Sequence, residues 1–128
     1  MSQLKSFEEL ECWKACTELR KFIVELLKKF PPEEKYILVS QIKRCARSIT
    51  NNIAEGYGRF HFKENAQFCR QSRGSIYELK DHMIISLDES YITVEDYNQF
   101  IELFNRAVPI LNGYINYLIK SLDKPINV

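Results

Sequence analysis

The chain is poor in turn formers and in the usual signatures of chemistry. It has four glycines, four prolines, two histidines and one tryptophan in 128 residues. No apolar run approaches the roughly 20 residues that span a bilayer, and Met1 to Glu11 holds no apolar core of signal-peptide length. The expectation is therefore a soluble, cytoplasmic protein with no membrane partner. Its four cysteines, Cys12, Cys16, Cys45 and Cys69, form no C-x-x-C pair. They are expected to be small buried apolar residues in a reducing compartment rather than a zinc knuckle.

The same scarcity argues against an active site. A di-iron bundle needs two Glu-x-x-His motifs and two further glutamates. Here His61 has Glu64 three residues after it and His82 follows Glu78 by four, so neither motif is present. Gly56-Tyr57-Gly58 follows a helical pattern rather than a strand, and no Gly-Lys-Ser/Thr occurs, which excludes a phosphate loop. No spacing favours a cysteine or serine nucleophile beside histidine and an acid. The expectation is a protein that is not an enzyme, with no cofactor, no metal and no catalytic residue.

Hydrophobic residues at 45% and charged residues at 27% are globular values, and the length suits one domain over residues 1–128. Charge is unevenly placed along the near-neutral chain. Residues 41–73 hold seven cations, Lys43, Arg44, Arg47, Arg59, Lys63, Arg70 and Arg73, against Glu55 and Glu64. Residues 74–103 hold Lys80 against seven acids. Such a pattern either offers a basic patch to an anionic partner or pairs with itself, within or between subunits.

Nothing reads as strand-turn-strand, and four helical patterns fill the chain. The first covers about residues 7–30, with Ser6 and Glu9 spaced as a capping box and Pro31-Pro32 as its stop. The second covers about 33–55, starting behind Pro32 and carrying Leu38, Ile42, Cys45, Ala46, Ile49 and Ile53 as one stripe. Gly56 then suits the left-handed residue past a helix end, with Gly58 as a second free turning point and Arg59 bonding the last carbonyls or facing water. The third covers about 61–87. Its central Gly74 suggests a close helix approach, and hairpin geometry would set Arg44 against Glu78. The fourth covers about 94–122, opened by a Thr93/Asp96 capping box and kinked at Pro109. Residues 123–128 are expected to fray. Short connections then give an all-α, antiparallel up-down-up-down four-helix bundle.

The basic segment is the best candidate site. Lys and Arg neutralise phosphates, and Tyr57, Phe60 and Phe62 beside the glycine turn offer stacking surfaces for unpaired bases. The bland alternative is a solvated helix face whose aromatics cap the core.

Several motifs also carry a resemblance. They are Phe7-x-x-Leu10-x-x-Trp13, Phe30-Pro31 with Tyr36, and Gln41-x-x-Arg44-x-x-x-Ser48-Ile49. Asn52-Ile53-Ala54-Glu55-Gly56-x-Gly58-Arg59 and Arg73-Gly74-Ser75-x-x-Glu78-Leu79 follow. Together they resemble the bacterial four-helix-bundle proteins encoded in intervening sequences of 23S ribosomal RNA genes. The resemblance implies a cytoplasmic four-helix bundle, and related proteins assemble as ring-shaped homopentamers. A structural relative, the accessory variability protein of diversity-generating retroelements, binds a reverse transcriptase and nucleic acid. It makes the seven cations candidate phosphate contacts to RNA, or contacts to a nucleic-acid-handling protein. Asn52, Glu55, Gly56, Gly58, Gly74 and Glu78 become structural positions. The alternative is an oligomeric scaffold without direct nucleic-acid binding, in which the basic segment of one subunit meets the acidic segment of the next.

Overall fold

A computed structural model describes residues 6–122; the expected fraying of 123–128 lies outside them. The described chain is all-α, with four long helices and no strand among the described residues. Helix α1 spans Glu11–Leu26, α2 Leu38–Gly58, α3 Phe62–Asp88 and α4 Val94–Leu122.

The first two helices depart from the sequence expectation at their ends. Leu10 is extended (φ −71°, ψ 129°), so Phe7–Glu9 is a separate 3-10 turn and α1 starts only at Glu11. The capping box is not made as expected: the Ser6 Oγ accepts from the Glu8 N–H at 3.3 Å. Burial explains the break, because Leu10 is in the core while Phe7 packs edge-on to Trp13 at 5.4 Å. Leu27–Lys29 tightens to 3-10 ahead of the prolines, and Pro32–Glu34 is another isolated 3-10 turn. Helix α2 therefore begins at Leu38, not at Glu33, after a sharp bend at Ile37 (φ −116°, ψ −95°).

The glycine turn is also corrected. Helix α2 runs through both Gly56 and Gly58, and no glycine has positive φ. The left-handed residue is Phe60 (φ 57°), two positions later, where its side chain is 84% exposed. Gly56 is needed for packing instead. A Cβ there would lie 2.7 Å from Asn65 Oδ1, 2.9 Å from Phe68 Cβ and 3.0 Å from the Asn65 carbonyl oxygen. The expected close approach at Gly74 is absent: a Cβ there would meet nothing within 4 Å. The 3.6-residue period places Gly56 on the inner stripe of α2 and Gly74 on the outer face of α3.

Contacts run in opposite order along the α2–α3, α3–α4 and α1–α4 pairs. Between α2 and α3, Cys45 Sγ donates to the Ser75 carbonyl at 3.1 Å, Ser72 Oγ to the Ile49 carbonyl at 2.6 Å, and Gly56 meets Asn65. Between α3 and α4, Phe62 packs on Tyr117, Asn65 bonds Tyr114 and Tyr77 packs on Phe104. Glu18 pairs with Arg106 and Lys29 with Asp96 along α1 and α4. One apolar core runs through all four helices, with Leu19, Ile49, Ile76 and Leu111 fully enclosed. Helix α4 passes Pro109 without stopping; Pro109 faces solvent, where water can serve the carbonyl left without a donor. Its stripe ends at Leu118, since Leu122 is exposed.

The start of α4 is made as expected. The Asp96 N–H donates to Thr93 Oγ1 and the Thr93 N–H to Asp96 Oδ2, each at 3.0 Å. Lys29 adds an ion pair at 2.9 Å. Burial pushes the Asp96 carboxyl up, but the Thr93 N–H and the Lys29 ammonium outweigh it and hold it below the usual carboxylate range.

Gly56→Ala should destabilise the protein by about 1–3 kcal/mol through overpacking. Gly74→Ala should stabilise it by about 0.5–1 kcal/mol through helix propensity. Urea unfolding of both variants checks the pair, and equal effects would contradict this packing. Asp96→Asn should cost about 1 kcal/mol at neutral pH, because the carboxylate charge beside Lys29 and the helix start is lost. Because the folded carboxyl is depressed, its extra stability is present above the unfolded value of about 3.9 and is lost as pH falls through the folded value. The gap between wild type and variant in thermal melts should therefore narrow with acidification.

Candidate nucleic-acid interface

Helix α2 turns its small and apolar stripe inward, which leaves Lys43, Arg44 and Arg47 exposed on the opposite side. These three line one surface cleft of about 360 Å³ with Ser40, Ser48 and Asn51. None of the three has a hydrogen-bond or ion-pair partner among the described residues. The cleft continues past Arg47 toward α1, where Arg47, Thr50 and Asn51 meet Trp13 and Arg20. Arg20 extends the basic surface, and its Nε is buried without a hydrogen-bond partner. Sequence reasoning missed Arg20; its place two helical turns after Trp13 was the available signal.

The remaining four predicted cations do not join this group. Arg59 is exposed and does not bond the orphan carbonyls: its guanidinium lies 3.0 Å from Glu55 and 3.6 Å from Glu64, over the Phe68 ring. Arg73 is half-buried and donates to Asn112 Oδ1 at 2.8 Å. Lys63 and Arg70 are exposed on α3 and make no ion pair among the described residues. Glu55 of the glycine block thus pairs with Arg59, while Asn52 donates to the Ser48 carbonyl at 2.8 Å. Arg44 and Glu78 line one cleft, but the expected ion pair is not formed; the Glu78 carboxylate is 3.3 Å from His82 Nε2 instead.

Aromatics gather at the end of the bundle formed by the α2–α3 turn. Tyr57, Phe60, His61 and Phe62 line a cleft of about 290 Å³ with Asn65, Tyr114 and Tyr117. Phe62 is half-exposed, Tyr57 is packed against the core, and Phe60 projects outward. These aromatics therefore do more than cap the core. Tyr114 and Tyr117 were not foreseen, although their three-residue spacing puts them on one face of α4.

All four cysteines are buried free thiols. Burial pushes each one up to about 12, and the nearby Glu78 adds to the rise at Cys45. Protonated thiols are poor nucleophiles. One group of potential metal ligands occurs among the described residues, Cys45, Glu78 and His82, whose ligand atoms all lie within 4.8 Å of one another. No helix among the described residues is long and apolar enough to cross a membrane.

A family model described as 23S rRNA-intervening sequence protein matches residues 8–113. A comparison with curated proteins returned no match.

At neutral pH the folded protein should react with iodoacetamide at least about a hundredfold more slowly than free cysteine, and at full rate once unfolded. Mass spectrometry of a timed reaction checks this site by site. Rapid labelling of Cys45 would show that the α2–α3 seam opens readily.

Proposed function

The chain belongs to the 23S rRNA-intervening sequence protein family, and from that membership we propose a non-enzymatic, RNA-associated protein working as a ring-shaped homo-oligomer. It is a single up-down-up-down four-helix-bundle domain, cytoplasmic, closing as a homopentamer and acting without a catalytic site. The observation that carries the RNA assignment is the α2 cleft, where Lys43, Arg44 and Arg47 stand together with no acidic partner. Three uncompensated cations in one groove repel one another, and an anion there relieves that repulsion. Arg20 beyond Arg47 continues the same field. Phosphates repeat along a backbone and suit such a strip, whereas reading a sequence would need base-edge contacts. The aromatic cleft at the bundle end would accept an unpaired base by stacking.

A second reading is supported by the other charges. Asp81, Asp88, Glu95 and Glu102 are exposed and have no ion-pair partner among the described residues. Head-to-tail contact between this acidic surface and the α2 cleft of a neighbour would build a scaffold and cover the cations.

The purified protein should bind an RNA hairpin or a matched single strand at low salt. Affinity should fall on the order of 10–100-fold between about 50 and 200 mM salt if three phosphates are neutralised. The triple variant Lys43→Glu, Arg44→Glu, Arg47→Glu should abolish binding while circular dichroism stays helical. Unchanged binding by the variant would remove these residues from the interface. No RNA binding at low salt by an intact oligomer, its mass read on the same sample, would favour the scaffold.

A further inference from the structure

We propose that Cys45, Glu78 and His82 form a site for a borderline-soft divalent cation such as Zn²⁺, clamping α2 to α3. Glu78 and His82 are one turn apart and project from the same face of α3. Cys45 belongs to the inner stripe of α2, and its Sγ reaches the Ser75 carbonyl of α3 at 3.1 Å. The thiol, a carboxylate oxygen and a ring nitrogen are already mutually within 4.8 Å. A tetrahedral ion with ligands about 2.0–2.3 Å away needs them roughly 3.5 Å apart. Glu78 Oε2 and His82 Nε2 are 3.3 Å apart, so that pair already has the required spacing. The thiol needs to close by roughly 1.3 Å at most, which a side-chain rotation supplies.

The surroundings favour a ligand over simple packing. His82 is 9% exposed, and its Nε2 is held against the Glu78 carboxylate at the edge of the core. A ring nitrogen, a carboxylate and a thiol brought together there make a donor set, which packing alone does not require. Beside the cluster lies a cleft of about 300 Å³ lined by Gln41, Arg44, Cys45, Ser48 and Glu78. It gives an ion a path from solvent and leaves room for water as a fourth ligand. Thiolate and imidazole select Zn²⁺ or Co²⁺ over Mg²⁺ and Ca²⁺, which prefer all-oxygen shells. On binding, the Cys45 S–H proton passes to solvent and the metal–sulfur bond takes its place. Thiolate and carboxylate then cancel the ion's two charges, so Arg44 at the cleft mouth faces a neutral site. This chemistry is independent of whether the α2 cleft takes RNA.

Titration of the full chain with Co²⁺, in a phosphine reductant, tests the proposal. Saturation at one equivalent should bring a thiolate-to-cobalt charge-transfer band and intense visible bands of four-coordinate Co²⁺. Zn²⁺ should displace the cobalt, and Mg²⁺ should not. Cys45→Ser should lose the charge-transfer band, while Cys69→Ser should keep it. Glu78→Gln should weaken binding about tenfold or more, and Zn²⁺ should raise the Tm of wild type but not of this variant. The solvent-facing Glu78 side chain makes that variant decisive even if Cys45→Ser fails to fold. Absence of the band in wild type, its survival in folded Cys45→Ser, or unchanged affinity in Glu78→Gln would each overturn the site.

Discussion

The close seam between α2 and α3 is the constraint on which the other features depend. It is built from small residues and from side chains that bond the opposing backbone. Ser72 reaches the Ile49 carbonyl, Cys45 reaches Ser75, and Ser48 meets the Ser75 hydroxyl at 2.7 Å. Gly56 lets Asn65 and Phe68 come nearer than any Cβ would permit. With that seam facing inward, helical geometry leaves Lys43, Arg44 and Arg47 no place but the outer surface. The same seam carries Cys45 to the face of α3 that holds Glu78 and His82. Cleft and ligand cluster are thus two consequences of one helix contact.

Electrostatics then sorts the cations by what stands beside them. Arg59 is neutralised by Glu55 and Glu64, and Arg73 is tied to Asn112. Exposed pairs of this kind contribute little stability, on the order of 0–1 kcal/mol. Their greater effect is to remove a cation from the set available to an outside partner. Among the described residues the three cations of the α2 cleft have no such partner, and neither do the exposed acids Asp81, Asp88, Glu95 and Glu102. An RNA backbone or a neighbouring subunit would supply the missing countercharge in two different ways. Salt weakens both contacts, but only the first requires RNA.

At the opposite end of the bundle the connections are held by fewer, more specific contacts. Tyr91, in the α3–α4 connection, packs on Phe30 and donates to Glu34 at 2.7 Å, while Lys29 closes on Asp96. These contacts tie the segment before α2 to the start of α4. They show why Pro32-Glu33-Glu34 forms an isolated turn. Glu34 is engaged by Tyr91 and by the Leu38 N–H, so the helix starts beyond it.

The helical content, the inner stripes of α2 and α3, the extent of α4 and its Thr93/Asp96 cap followed from periodicity and capping chemistry. These are local properties, fixed by neighbours three or four residues away along the chain. The family, too, was legible in the motifs around Asn52 to Arg59. The role of Gly56 was not, because glycine signals a turn and a close helix contact with the same letter. Only the partner helix distinguishes them, and it put Asn65 against Gly56 while leaving Gly74 open. Likewise Arg44 and Glu78 were correctly brought near one another, but not the nearer claim of His82 on that carboxylate. Sequence determined which residues share a face; tertiary structure decided which cations kept an internal partner and which ligands met. The Arg73–Asn112 bond and the meeting of Cys45 with Glu78 and His82 join residues more than thirty positions apart, which no local pattern encodes.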